Sequence, residues 1–212
     1  MALAADWDVS KVSSNLGVFA LSDAEMAERQ ITVTPIGDLD LPTGAIIACD
    51  PLVSDPTLNR KVEPGRYPVS LLEAPGRVAT AVLRFSPGAP VRWELATVPG
   101  EDVAALKGDE VYGYPVDAGL ASFMDVLMSD EQDKLNYGDY YGEVLAAEFA
   151  PNQDRFVLHH TVAGNPLNIA MFGSGWGDGS YSSFWGLDAA GEPPLLRTDF
   201  GVLENADGRE TR

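Results

Sequence analysis

The sequence predicts an α+β fold, mainly β, of antiparallel sheet with a central helical segment (about residues 118–149) packed on one side. Three observations predict it. Short segments of period-two or continuous apolar character fill both halves of the chain, Gly- and Pro-bearing turns punctuate them, and a stretch with helical periodicity lies between.

The first element is a helix. Ser22 precedes Asp23-Ala24-Glu25, and Ser-x-x-Glu is a capping box that satisfies two backbone donors reciprocally, so a helix is expected from Asp23 to about Arg29. Ile31 to Ile36 then reads as extended. Ala45 to Cys49 is a continuous apolar run of strand length that ends at Asp50-Pro51, a turn starter. Pro64-Gly65 opens the next strand, with Tyr67, Val69 and Leu71 on one face, and Ala74-Pro75-Gly76 joins it to Arg77–Phe85 as a hairpin. Val91, Trp93 and Leu95 alternate with Arg92 and Glu94, so that strand buries one face and completes an expected three-stranded meander.

Leu120, Phe123, Met124, Leu127 and Met128 form a single stripe at helical spacing, extended by Leu135, with Asp130, Glu131 and Asp133 on the solvent side. Tyr140, Val144, Leu145 and Phe149 predict a second, shorter helix stopped at Pro151. Strand-length segments return at 155–162, 167–172, 181–187 and 195–200. The expected organisation is one domain, 1–212: a helix and lead-in over 1–43, a core over 44–203, and a frayed tail over 204–212.

Fourteen Lys and Arg face 32 Asp and Glu, a formal charge of −18. A field of that sign repels phosphate backbones and anionic lipid, so neither nucleic acid nor a membrane surface is an expected partner. It attracts cations, basic peptides or a basic protein partner and speeds their encounter at low salt, a small-molecule partner also staying open; the plainer reading is that the charge keeps the protein soluble and means nothing more. The single cysteine, Cys49, excludes an internal disulfide and a thiolate zinc cluster. Met1 to Val9 lacks a basic n-region, and no stretch approaches the roughly 18 apolar residues of a membrane span, so a cytoplasmic protein is expected.

The densest signal is Gly173-Ser-Gly-Trp176-Gly-Asp178-Gly-Ser-Tyr181, continuing through Trp185 to Arg197-Thr-Asp199-Phe200. Asp178 between two glycines is sterically bare, as suits a cation ligand or a general base. The plainer alternative is a glycine-rich turn in which Asp178 caps its own backbone and Trp176 packs as a lid. Asp50, Asp117, Asp125, Asp178 and Asp199 fall at predicted element ends, which can converge at one rim of a sheet. As catalytic groups the reading takes Asp178, Asp117 and Asp199 with His159; as ligands for a divalent cation such as Mg²⁺ or Ca²⁺ it takes Asp50, Asp117 and Asp178. Against this, no spacing resembles an EF-hand loop, and aspartate is common at such ends merely as a cap or turn residue.

His159 and His160 point to opposite faces of a strand; His160, with Phe156, Leu158 and Val162, is expected buried and His159 exposed. Arg66, whose planar fork suits a carboxylate or phosphate, joins Tyr67, Trp176, Tyr181 and Trp185 as ligand-binding candidates.

Together with Gly44-Ala-Ile-Ile-Ala-Cys-Asp50-Pro51, Pro64-Gly-Arg66-Tyr67-Pro68-Val69 and Val116-Asp117-Ala-Gly119 followed by Phe123-Met-Asp125, that segment resembles a bacterial family catalogued as domain of unknown function 4241. The resemblance spans about Gly44 to Leu203 and implies one domain, with no assigned activity. Two functions therefore remain open: a binding or neutralising module for a basic partner, in the manner of bacterial immunity proteins, and an enzyme with a carboxylate-based, metal-assisted hydrolytic site at the Gly-Asp-Gly loop.

Overall fold

Leu120 to Asp125, which apolar spacing assigns to a helix, is a strand in the computed structural model, and its burial accounts for the misleading pattern. All six of its residues are buried. A strand covered on both faces carries a continuous apolar run, and such a run contains helical spacing by accident. Among the described residues the expected central helical segment is accordingly reduced to a 3₁₀ turn at Val126–Met128 and the second predicted helix, found as a π-helical turn at Tyr141–Leu145 leading into α2 (Ala146–Phe149). The structure describes residues 21–53, 56–129, 139–161 and 166–203. Asp130, Glu131, Asp133 and Leu135, with the tail after Leu203, lie outside them.

Helix α1 (Asp23–Glu28) starts at the predicted capping box, in which the Ser22 hydroxyl accepts from Glu25 N while Glu25 Oε2 accepts from Ser22 N at 2.8 Å. The strands are β1 (Thr32–Leu41), β2 (Ile46–Cys49), β3 (Gly65–Ala74), β4 (Arg77–Arg84), β5 (Arg92–Leu95), β6 (Tyr114–Val116), β7 (Leu120–Asp125), β8 (Phe156–His159), β9 (Ile169–Gly173), β10 (Gly179–Leu187) and β11 (Leu195–Asp199). They form two antiparallel sheets. Seven strands run β1-β3-β4-β11-β10-β5, with β6 also on β10, and four run β2-β7-β9-β8.

The sheets face each other across a core to which Leu71, Leu83, Trp185 and Leu196 come from the larger and Ile46, Ala48, Phe123 and Phe172 from the smaller. The far side of the smaller sheet, with Ile47, Cys49, Met124 and Met171, packs on Met128, Leu145 and Phe149 of the helical segment. The small sheet is thus a middle layer, which is why β2 and β7 are buried throughout.

The β3–β4 hairpin forms as expected, but β5 does not complete a meander. Strands β11 and β10 stand between β4 and β5, because the chain leaving β4 turns onto β11, where Phe85 N and Ser86 N donate to Pro194 O. The alternation predicted for β5 is kept at Trp93 and Leu95, which join apolar clusters, whereas Val91, expected on the same face, precedes the strand and is exposed. At the other edge, the Asn168 side chain acts as a strand fragment for β1, accepting from Asp40 N and donating to Asp38 O, both at 3.0 Å. Among the described residues no helix is long and apolar enough to cross a membrane.

Candidate functional site

Five turns meet at one end of the molecule, and they carry most of the motifs singled out in the sequence. The β9–β10 loop, Ser174–Asp178, is the hub. Ser174 N donates to Gly119 O at 3.1 Å, tying the loop to the β6–β7 turn, and Val116 pairs with Gly179, so Asp117 and Asp178 each fall one residue beyond that pair, in adjoining turns. Asp50, just past β2, fixes the same β6–β7 turn from beneath: its Oδ2 accepts from Asp117 N and Ala118 N at 2.9 and 2.8 Å, and its Oδ1 from Leu52 N at 2.8 Å. On the opposite flank, Trp176 Nε1 donates to Gly201 O at 3.2 Å, beyond β11. Arg77, at the β3–β4 turn, lies 4.2 Å from the centre of the Trp176 ring and donates to Gly175 O at 2.7 Å.

Gly175 makes this assembly possible. Its φ is +70°, and a Cβ there would come within 2.7 Å of Val78 O and 2.8 Å of Phe200 Cβ, so no other residue fits. The loop is further braced by the Ser174 and Tyr181 hydroxyls, which both donate to Gly177 O, at 2.8 and 2.9 Å. The result is a rigid rim on which Trp176 is 50% exposed and Asp117 and Asp178 face solvent.

Tyr181 is the titrating group whose ionisation this packing perturbs. Burial holds its phenol above the ordinary value of 10.0, and the Asp178 charge adds to the effect against lowering contributions from hydrogen bonding and Arg77. Because the folded value is raised, the unfolded chain releases the proton first as pH climbs past 10.0, and stability falls from there until the folded phenol ionises. Tyr181→Phe is expected to flatten the alkaline arm of a stability-against-pH curve measured by urea unfolding between pH 9 and about 11.5, while losing roughly 1 kcal/mol at pH 7 with the hydrogen bond.

The other predicted residues go elsewhere. Asp50 reaches the rim but is fully buried with its oxygens turned to backbone donors, so Asp50, Asp117 and Asp178 do not make the expected ligand set; among the described residues no group of three or more His, Cys, Asp or Glu is placed to hold a metal ion. Asp125 is likewise a pin, accepting from Thr43 N and Leu127 N at 3.0 Å. Asp199 is paired with Arg197 at 2.9 Å and accepts from Gly201 N, and so is not a bare catalytic carboxylate.

The histidines are reversed from expectation: His159 is 1% exposed and His160 is on the surface. Val157 and His159 face the helical segment, while Phe156 and Leu158 face the inter-sheet core, so both faces of β8 are covered and His160 falls just past its end. His159 Nδ1 meets Glu148 Oε2 at 2.6 Å and its Nε2 meets the Tyr140 hydroxyl at 3.0 Å, a link between helix and sheet. It pairs with Ile169, four residues along β9 from Gly173 and hence about 13 Å from the loop.

Arg66 lies at the opposite end of β3 from the Arg77 turn, bonded to Asp40 at 3.1 Å, and the Tyr67 hydroxyl donates to Glu63 O. Trp185 is a core side chain, 2% exposed. The residue the sequence reading passed over is Arg77. Its only local signal is a place after a Pro-Gly turn, and its partner Trp176 is remote in the chain.

The order of these motifs is that of a known family. The family model described as protein of unknown function (DUF4241) matches residues 39–198. The chain belongs to this family. The DUF4241 match runs from near the end of β1 to within β11, taking in four of the five rim turns and stopping just short of Gly201. Comparison with curated proteins and with solved structures returns no match.

Proposed function

We propose that this DUF4241 protein is a recognition module that docks a basic protein partner on the Trp176 rim. The observation that carries the reading is a half-exposed tryptophan held immobile: its indole nitrogen is bonded to Gly201, its face is stacked by Arg77, and its loop is locked by Gly175. Tryptophan and arginine are the side chains most enriched where binding energy concentrates, and a surface already ordered loses little entropy on docking. Asp117 and Asp178 beside it, and the formal charge of −18, favour a cationic counterpart.

A hydrolytic reading has less to stand on, since Asp50 and Asp199 are committed to backbone donors and to Arg197. The test is affinity capture from the native host at low and high salt, run side by side with Trp176→Ala and with Asp117→Asn/Asp178→Asn. A basic partner should be retained by the parent protein and weakened roughly thirtyfold with Trp176→Ala, the equivalent of the ~2 kcal/mol expected of a central anchor. The Asn pair should mainly flatten the salt dependence. Equal capture by Trp176→Ala, with its fold verified by circular dichroism, overturns the reading.

A further inference from the structure

We infer that the hollow between β2 and the β5–β6 side of the larger sheet is a binding site for a small primary ammonium compound with an apolar body. The hollow measures ≈ 130 Å³ and is walled mainly by Ala48, Leu58, Ala96, Val98 and Tyr114, with Glu101 also among its lining residues. It shares no residue with the Trp176 rim, so the two proposals stand or fall separately.

Its walls are fixed by backbone bonds. Leu58 N donates to Ile46 O at 2.9 Å, Asn59 N to Thr97 O at 2.8 Å, and Ala96 N to Ser183 O at 2.8 Å, so the space exists before any guest arrives. Ser183, at the same wall, already shares its hydroxyl with Thr198 at 2.8 Å and requires nothing from a guest.

Glu101 is the informative member. It is half-buried, its Oε2 accepts from Val98 N at 2.9 Å, and that bond fixes the carboxylate in place. Among the described residues no lysine, arginine or histidine forms an ion pair with it. A carboxylate partly withdrawn from water and flanked by hydrocarbon gains from a cation that brings hydrocarbon of its own. An apolar cavity of about 150 Å³ accepts a benzene-sized guest, so this hollow fits one ring or a chain of about five carbons. An ammonium group at Glu101 with such a body in the hollow satisfies both demands, and an anion is repelled by the same charge.

The full chain titrated with benzylamine, toluene and benzoate, followed by amide chemical shifts of Leu58, Ala96, Val98 and Tyr114, tests this. Benzylamine should bind at least tenfold more tightly than toluene, and benzoate should not bind. Glu101→Gln should bring benzylamine down to the toluene level, and Ala96→Leu should abolish both by filling the space. Glu101→Gln leaves the core packing untouched, so it carries the test if Ala96→Leu does not fold. No binding of benzylamine at millimolar concentration, equal binding of benzylamine and toluene, or a preference that survives Glu101→Gln overturns the assignment.

Discussion

Arg197→Met is expected to lower stability by about 3–5 kcal/mol, because it strands a buried carboxylate. Arg197 lies on β11, inside the seven-stranded sheet, with no exposed surface; its Nη2 is 2.9 Å from Asp199 Oδ2 and its guanidinium 5.6 Å from the centre of the Trp93 ring. Burial weakens its hold on the proton, pulling its pKa below the ordinary guanidinium range, and the Asp199 charge opposes that pull. The pair therefore costs desolvation on both sides and recovers it only while both members are present. Urea unfolding should show the loss, and a thermal midpoint should fall by about 10 °C or more. Arg197→Met/Asp199→Asn should recover at least half of it, since a neutral amide can still face Gly201 and no charge remains. A single variant within 1 kcal/mol of the parent protein would show that Asp199 finds water without Arg197.

Asp50→Ala is expected to cost about 3 kcal/mol or more, since hydrogen bonds to a charged acceptor contribute about 1.5–3 kcal/mol each and three backbone donors lose theirs together. The effect should be local in origin. Amide exchange at Leu52, Asp117 and Ala118 should accelerate beyond the change in global stability. Because Gly119 passes the constraint on to Ser174, the Trp176 loop should loosen too, and capture of the basic partner should weaken even with Asp50→Asn, which keeps one acceptor. Unchanged exchange at Asp117 and Ala118 would mean the turn holds itself.

What the sequence made legible follows from how local each determinant is. The capping box of α1, the burial of β2 and the alternation in β5 depend on neighbours within a few residues, and each is found where the pattern puts it. β7 was hidden because a strand in a middle layer has no polar face, and the only sign distinguishing it from a helix is that Ala121 and Ser122 are also buried. The placement of β11 and β10 between β4 and β5 is a long-range matter that turn chemistry cannot report. At the rim, the glycines flagged the loop and the order of motifs flagged its company, so Trp176, Asp178 and Asp117 were within reach. For Asp50 the sequence offers two roles, cation ligand and turn cap, and the structure shows it pinning a turn; the two look alike until the donors are seen. The histidine pair was reversed because β8 is covered on both sides, so an apolar neighbourhood does not choose a face.

The side-chain amide of Asn168 has a bearing on colloidal behaviour. A terminal strand normally offers a row of vacant donors and acceptors onto which another chain can zip. In β1 that row is interrupted: Pro35 contributes no N–H, a bulge between Pro35 and Gly37 bends the strand, and Asp38 O and Asp40 N are occupied by the asparagine. Along β1 a would-be intruder therefore meets a broken row of donors and acceptors, which hinders a ladder from starting at this edge of the larger sheet.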